Sequence, residues 1–205
     1  MVVDIGGGTT SVTVVASSGV IFSRSERIGG LDMDEAIVRM VRQQHNLLIG
    51  DRTAERVKME LGAAMLIDPE RTTKVTGRLL DSSGTPQHRL ASTSLTHQDV
   101  YTAILPVLKK ILETIQHAME ELPPEAAADV LSRGMTLTGG TALLARMQKW
   151  LEQEFKLPVR VAENPLQAVV LGMGHFFDDA RLLRQIVRRE DVSLWREYLP
   201  ASDFE

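Results

Sequence analysis

Cysteine is absent from the 205-residue sequence, which excludes a disulfide-stapled scaffold, a zinc finger and a thiol nucleophile, and gives no sign of an oxidising compartment. No run of about 18 uninterrupted apolar residues occurs, so no membrane-spanning helix is expected. The first residues, Met-Val-Val-Asp-Ile-Gly, lack the basic region and long apolar stretch of a signal peptide, and the expected location is the cytoplasm. Basic residues are also short, with 23 against 27 acidic side chains and a net charge of -4. That balance argues against a general nucleic-acid binder, and no nucleic-acid partner is expected. Internal repeats and low-complexity tracts are missing as well. What is present is ordinary for a globular protein, with 43% apolar and 24% charged residues. The length suits one domain or two small ones.

The opening residues alternate short β-branched runs with glycine. Val2 to Ile5, Ser11 to Ala16 and Val20 to Ile28 are predicted strands, with a turn at Ser17, Ser18 and Gly19. From Asp32 the period becomes helical. Met33, Ile37, Met40 and Val41 follow acidic Asp32, Asp34 and Glu35, a first turn that suits the positive end of a helix dipole. A second helix is predicted from Thr53 to Met65, with Val57, Leu61 and Ala64 on one face, and then a hairpin over residues 72–91 turning at Asp81 to Gly84. A long helix is predicted from Thr96 and Asp99 to about Leu122, kinked at Pro106. Pro123-Pro124-Glu125 opens a short helix to Val130. Met135 to Leu137 and Val159 to Val161 are further strands, and Gly139-Gly140 leads into one helix containing Leu143, Leu144, Met147, Trp150 and Leu151. Pro165 stands where helices accept proline, ahead of Ala168 and Gly172. The order implies an α/β fold with an excursion that forms a separate lobe.

Several segments bear on chemistry. Asp4-Ile5-Gly6-Gly7-Gly8-Thr9 lies between two strands, and consecutive glycines let backbone N–H groups converge on an anion such as phosphate. Asp4 can orient a magnesium-bound water, and the Thr9 hydroxyl can donate to a phosphate oxygen. The bland alternative is a glycine-rich hairpin, and no Walker lysine follows. Gly29-Gly30 precedes a helix whose N-terminus can face the same anion. Glu55 and Lys58 stand one turn apart, a spacing that suits two ribose hydroxyls or an exposed ion pair. Thr138-Gly139-Gly140-Thr141 marks a strand-to-helix junction where bare backbone admits a flat base, or a tight helix entry. The five histidines, at 45, 88, 97, 117 and 175, show no ligand spacing.

In this order the segments resemble the second half of the actin and DnaK-type ATPase superfamily. Within it, Arg27-Ile28-Gly29-Gly30, Met33 to Ile37, the string from Asn46 to Arg56, and Pro123-Pro124-Glu125 resemble MreB, the bacterial actin. The likeness runs from residue 2 to about residue 177. It implies an actin-like, ribonuclease H-like α/β core with an inserted smaller α+β lobe. The core would comprise residues 1–30 and 120–178, the lobe residues 31–119, and a helical tail residues 179–205. It implies ATP or ADP with Mg2+ as cofactor. Asp4, through a water, would serve the metal, and Gly6, Gly7, Gly8 and Thr9 the β- and γ-phosphates. Gly29 and Gly30 would lie near the phosphates and ribose. Glu55 and Lys58 would contact ribose and adenine. Gly139, Gly140, Thr141 and Ala142 would form the adenosine loop. Met59 and Leu143 would sandwich the base, and Asn164, Pro165, Ala168 and Gly172 resemble the closing helix.

The resemblance also implies self-assembly into filaments, a role in rod shape, and cell-shape or membrane-associated partners at the inner face of the cell membrane. The first phosphate loop and the residue that polarises the attacking water have no counterpart in these residues. No catalytic residue is therefore assigned, and weak nucleotide binding is expected of this half alone. Leu31 replaces the acidic residue that usually follows the glycine pair. In the tail, Arg181, Arg184, Arg188 and Arg189 oppose Leu182, Leu183, Ile186 and Val187, a pattern for a docked terminal helix or a membrane-surface helix. The competing functions are a small-molecule kinase fragment of the same superfamily and an assembly module that binds no nucleotide.

Overall fold

The structure is a computed structural model that describes residues 1–16, 19–67 and 71–178. The expected turn at Ser17 and Ser18 and the expected basic helix at 181–189 lie outside the described residues. The chain divides into two units, Met1–Leu166 and Gln167–Glu205.

In the first unit the order is β1 (Val2–Ile5), β2 (Thr10–Ala16), β3 (Gly19–Glu26), α1 (Gly30–His45), β4 (Leu47–Leu48), α2 (Asp51–Leu61), β5 (Thr72–Leu80), β6 (Pro86–Thr96), α3 (His97–Glu120), α4 (Pro124–Arg133), β7 (Met135–Thr138), a 3-10 helix (Gly140–Leu143), α5 (Met147–Phe155) and β8 (Val159–Val161). Of the second unit, helix α6 (Ala168–Asp178) is described.

Five strands form one sheet in the order β3-β2-β1-β7-β8, and β4-β5-β6 form a second, antiparallel sheet. β1 pairs antiparallel with β2 and parallel with β7, with Val2, Val3 and Asp4 opposite Thr136, Leu137 and Thr138. It is therefore the strand at which the sheet changes from hairpin to crossover connectivity. Alternation decides the faces: in β2 Thr10, Val12 and Val14 are buried while the residues between them are not.

The helices bury the stripes their periodicity predicts. α1 buries Met33, Ile37, Met40 and Val41, and α3 buries Val100, Ile104, Leu108, Ile111 and Ile115 at intervals of three and four. These join Val3, Ile5, Leu137 and Leu151 in one apolar cluster. Caps set the helix starts. The Thr96 hydroxyl accepts from the Asp99 N–H at 3.1 Å, and the Asp99 carboxylate accepts from the Thr96 N–H at 2.9 Å. Pro106 lies inside α3, which runs through it unbroken. Pro124 takes the first position of α4, where its missing N–H costs nothing.

Several boundaries differ from expectation. α2 ends at Leu61 instead of Met65, because the backbone at Gly62 turns extended (φ -67°, ψ 135°) and the following residues pair elsewhere. Ala63 bridges Ala145 in parallel, and the Ala64 N–H donates to the Ala145 carbonyl at 2.8 Å. That same pairing breaks the single helix expected after Gly140, leaving a 3-10 turn, an interruption with Arg146 at φ 64°, and then α5. Strand β4, two residues long, was not among the expected elements, and β6 extends beyond the expected hairpin end to Thr96.

Candidate functional site

The site is assembled where parallel strands β1 and β7 end side by side. From β1 the chain enters the glycine loop, whose Gly6 N–H donates to the Thr9 carbonyl at 2.8 Å. The loop carbonyls then hold two other elements. Gly6 O accepts from the Gly30 N–H at 3.0 Å and from the Thr141 hydroxyl at 3.1 Å, and Gly7 O accepts from the Leu31 N–H at 2.8 Å. The glycine loop, the start of α1 and the 3-10 turn are thereby tied at one point.

Two glycines permit this approach. A Cβ on Gly29 would fall 2.5 Å from Gly7 O and 2.6 Å from Gly6 O. Gly139 has φ 84°, and a Cβ there would fall 2.3 Å from Ile5 O and 2.6 Å from Asp4 Oδ1. The junction is closed from behind by the Pro165 carbonyl, which accepts from the Gly139 N–H and the Thr138 hydroxyl, both at 2.9 Å.

In front of the junction lies a cleft of about 440 Å³, within the size range of small-ligand sites. Gly7 and Gly30 line its floor, Glu55, Lys58 and Met59 of α2 one wall, and Gly140, Thr141 and Leu143 another. Met59 and Leu143 are 73% and 57% exposed, so their apolar faces are available to a flat group. Of the residues expected at the site, Asp4, Gly6, Gly8, Thr9, Gly29, Gly139 and Ala142 are not part of this lining. Gly6, Gly29 and Gly139 belong to the packing beneath it, Gly8 and Thr9 are exposed on the loop, and Ala142 is buried. Ala168 and Gly172 lie on α6 in the second unit.

The structure also changes two details. The first N–H groups of α1 are already engaged, Gly29 with the Asp32 carboxylate at 2.8 Å, Gly30 and Leu31 with the loop carbonyls. The helix N-terminus therefore braces the loop and does not offer these donors to an anion. Lys58 does not pair with Glu55. Its Nζ donates to Asp34 Oδ2 at 2.8 Å and to Gly30 O at 3.0 Å. The sequence marks Asp34 as a first-turn acid within the string Met33 to Ile37, and its 24-residue separation from Lys58 has no local sequence signal. Leu31, Leu144 and Leu166 also line the cleft and were not anticipated there.

Burial pushes the Asp4 carboxyl above its ordinary range. A raised acid favours folding below its unfolded value and loses that contribution as pH rises through the folded one. Asp4→Asn is therefore expected to raise the melting temperature at pH 7 and to leave it unchanged near pH 3, where both forms are neutral. Thermal melts at the two pH values check this, and an equal shift at both would refute it. Burial also pushes Asp34 up, opposed by the hydrogen bond and charge of Lys58.

Among the described residues no three His, Cys, Asp or Glu side chains cluster as a metal site. His97 is a satisfied core residue, its Nδ1 2.7 Å from Leu61 O and its Nε2 accepting from the Ile67 N–H at 3.0 Å. No helix among the described residues is long and apolar enough to cross a membrane.

A family model described as MreB/Mbl protein matches residues 1–185. The cell shape-determining protein MreB of Escherichia coli K12 is 45% identical over 174 residues, covering 85% of this chain and 49% of that protein. The chain belongs to the MreB/Mbl family. Mbl of Bacillus subtilis, also a cell shape-determining protein, is 34% identical over 179 residues, covering 87% of this chain and 52% of its own length. The chain thus spans about half the length of these curated MreB and Mbl relatives. The crystal structure of MreB5 of Spiroplasma citri bound to AMPPNP superposes with a TM-score of 0.80 at 29% identity, covering 92% of this chain and 54% of that one. A filament of MamK, at 19% identity and a TM-score of 0.65, shares the actin-like fold.

Proposed function

We propose that this chain forms one side of an adenine-nucleotide cleft and works, as an MreB-type actin, in filaments that determine cell shape. The observation that carries it is the convergence of the glycine loop, the start of α1 and the 139–143 turn on one cleft, tied through Gly6 O. In this reading Gly6 to Thr9 receive the β- and γ-phosphates. Gly29 and Gly30 keep bulk away from phosphates and ribose, and Glu55 and Lys58 meet the ribose. Gly139 to Ala142 carry the adenosine, whose base lies between Met59 and Leu143. Mg2+, bound chiefly to phosphate oxygens, would be reached by Asp4 through a water. That role suits a carboxylate ending β1 beside the loop. A relative solved with AMPPNP and another MreB5 crystal solved with ADP support the nucleotide class.

The residues on the sheet β3-β2-β1-β7-β8 form the core, and residues 31–119, with the sheet β4-β5-β6, the inserted lobe. Self-association goes with this reading, and MamK, a neighbour in fold, is solved as a filament. A cytoplasmic location at the inner face of the cell membrane goes with family membership. With contacts on one side of the nucleotide only, affinity is expected to be weak and turnover negligible, because phosphoryl transfer needs charge stabilisation around the whole transferring group.

Gly7 provides the test. A Cβ there meets nothing nearer than Leu31 at 3.7 Å, so Gly7→Leu starts without a clash and is expected to fold while filling the loop's ligand side. Calorimetric titration of ATP is expected to show at least about a tenfold loss of affinity, with an unchanged circular dichroism spectrum. Unchanged affinity and normal assembly would instead make the glycine loop a relic.

A further inference from the structure

Asp34 is costly where it stands. Its side chain is 7% exposed, and although Oδ2 is paired with Lys58, the buried Oδ1 has no hydrogen-bond partner among the described residues. A buried ion pair of this kind is commonly matched or bettered in stability by apolar residues of similar volume, so stability alone gives little reason for it. Lys58 gives a better one. An ammonium has three donors; one goes to Asp34 Oδ2, a second to Gly30 O, and the side chain, 16% exposed, lines the cleft with one donor left over. A free lysine tip samples many rotamers. Held at two points, this one keeps its last N–H in a single place.

We propose that Asp34 is a positioning residue that, through Lys58, makes the cleft select ribose over deoxyribose. This rests on the nucleotide reading above and adds to it a residue and a selectivity. Asp34 touches no ligand; it removes the freedom Lys58 would otherwise lose on binding. The donor meeting a sugar hydroxyl is an ammonium, so the contact is a charge-assisted one.

ATP, 2′-deoxy-ATP and 3′-deoxy-ATP are titrated calorimetrically into the unmutated chain and into Asp34→Asn. The unmutated chain is expected to prefer ATP over at least one deoxy analogue by about tenfold, the scale of one hydrogen bond to a charged group. Asp34→Asn should bring that preference to within about twofold. Met59→Ala, which trims the base wall, should weaken all three nucleotides alike and keep the ratio. A preference unchanged in Asp34→Asn overturns this assignment alone. Failure of the unmutated chain to bind any of the three overturns the nucleotide reading and this assignment with it.

If Asp34→Asn does not fold, the ratio is followed with pH in the unmutated chain. The charged groups facing Asp34 are Lys58, Glu55 and Asp51, and protonation of the phosphates is common to the three nucleotides and cancels. Because burial lifts the Asp34 carboxyl, the preference should fall as pH is lowered into its titration range, where Lys58 loses its anchor. A ratio that stays flat as the pH is lowered to the point where the chain begins to unfold overturns the assignment.

Discussion

Gly139→Ala is expected to cost about 3 kcal/mol or more, from two causes that act together. At φ 84° and ψ 165° Gly139 occupies a region open essentially to glycine alone, where a residue with a Cβ carries a penalty of about 1–3 kcal/mol. Forced overpacking adds about 1–3 kcal/mol, here against backbone, since the new methyl would meet Ile5 O at 2.3 Å. The Ile5 carbonyl cannot swing away as a side-chain tip can, because Ile5 is held in β1 between β2 and β7. The melting temperature should drop by about 10 °C. ATP binding should vanish as well, because relief of the collision displaces the 139–143 turn from the cleft. A melt within about 2 °C of the unmutated chain, with ATP affinity retained, would refute it.

Gly29→Ala is the second large effect, and its cause is different. The backbone at Gly29 is extended, with φ -174°, so the torsion suits any residue and crowding acts alone. The methyl would fall 2.5 Å from Gly7 O and 2.6 Å from Gly6 O, driving the start of α1 off the glycine loop. The bonds from Gly30 and Leu31 to those two carbonyls would lengthen or break, at about 1 kcal/mol each. Together with the overpacking, a loss of about 2–4 kcal/mol is expected, with at least a tenfold drop in ATP affinity. Gly7→Leu is the internal comparison, since it should weaken ATP binding at nearly constant stability. If Gly29→Ala melts like the unmutated chain, the loop and helix are not coupled as described.

What the sequence disclosed and what it withheld divide along a physical line. Periodicity marks stripes and alternation, so α1, α3 and the first strands are legible from Met33, Ile37 and Val41, or from Val12 and Val14. The capping pair Thr96 and Asp99 marks its helix start for the same local reason. The bracing of Gly6 O by Gly30 and Thr141 is not local, nor is the Lys58 link to Asp34. The break before α5 shows how local pattern misleads. Leu143, Leu144 and Met147 keep helical spacing, yet pairing of Ala63 and Ala64 with Ala145 takes the backbone elsewhere, and the same contact stops α2 short. Tertiary hydrogen bonds overrode propensity at both places. Of the cleft lining, Gly7, Gly30 and Gly140 belong to motifs legible in the sequence, whereas the apolar additions Leu31, Leu144 and Leu166 carry no motif.

The bond from Thr141 to Gly6 O spans 135 residues, and β1 meets β7 across a similar separation. A nascent chain emerging from the ribosome therefore cannot assemble this junction until nearly all of the first unit has been synthesised, since the entropy of closing so long a loop must be offset by completed packing. Partly folded or truncated chains would lack the junction altogether. Occupancy of the cleft consequently reports completion of folding, and a ligand that fits it acts as a late-stage clamp on the finished chain.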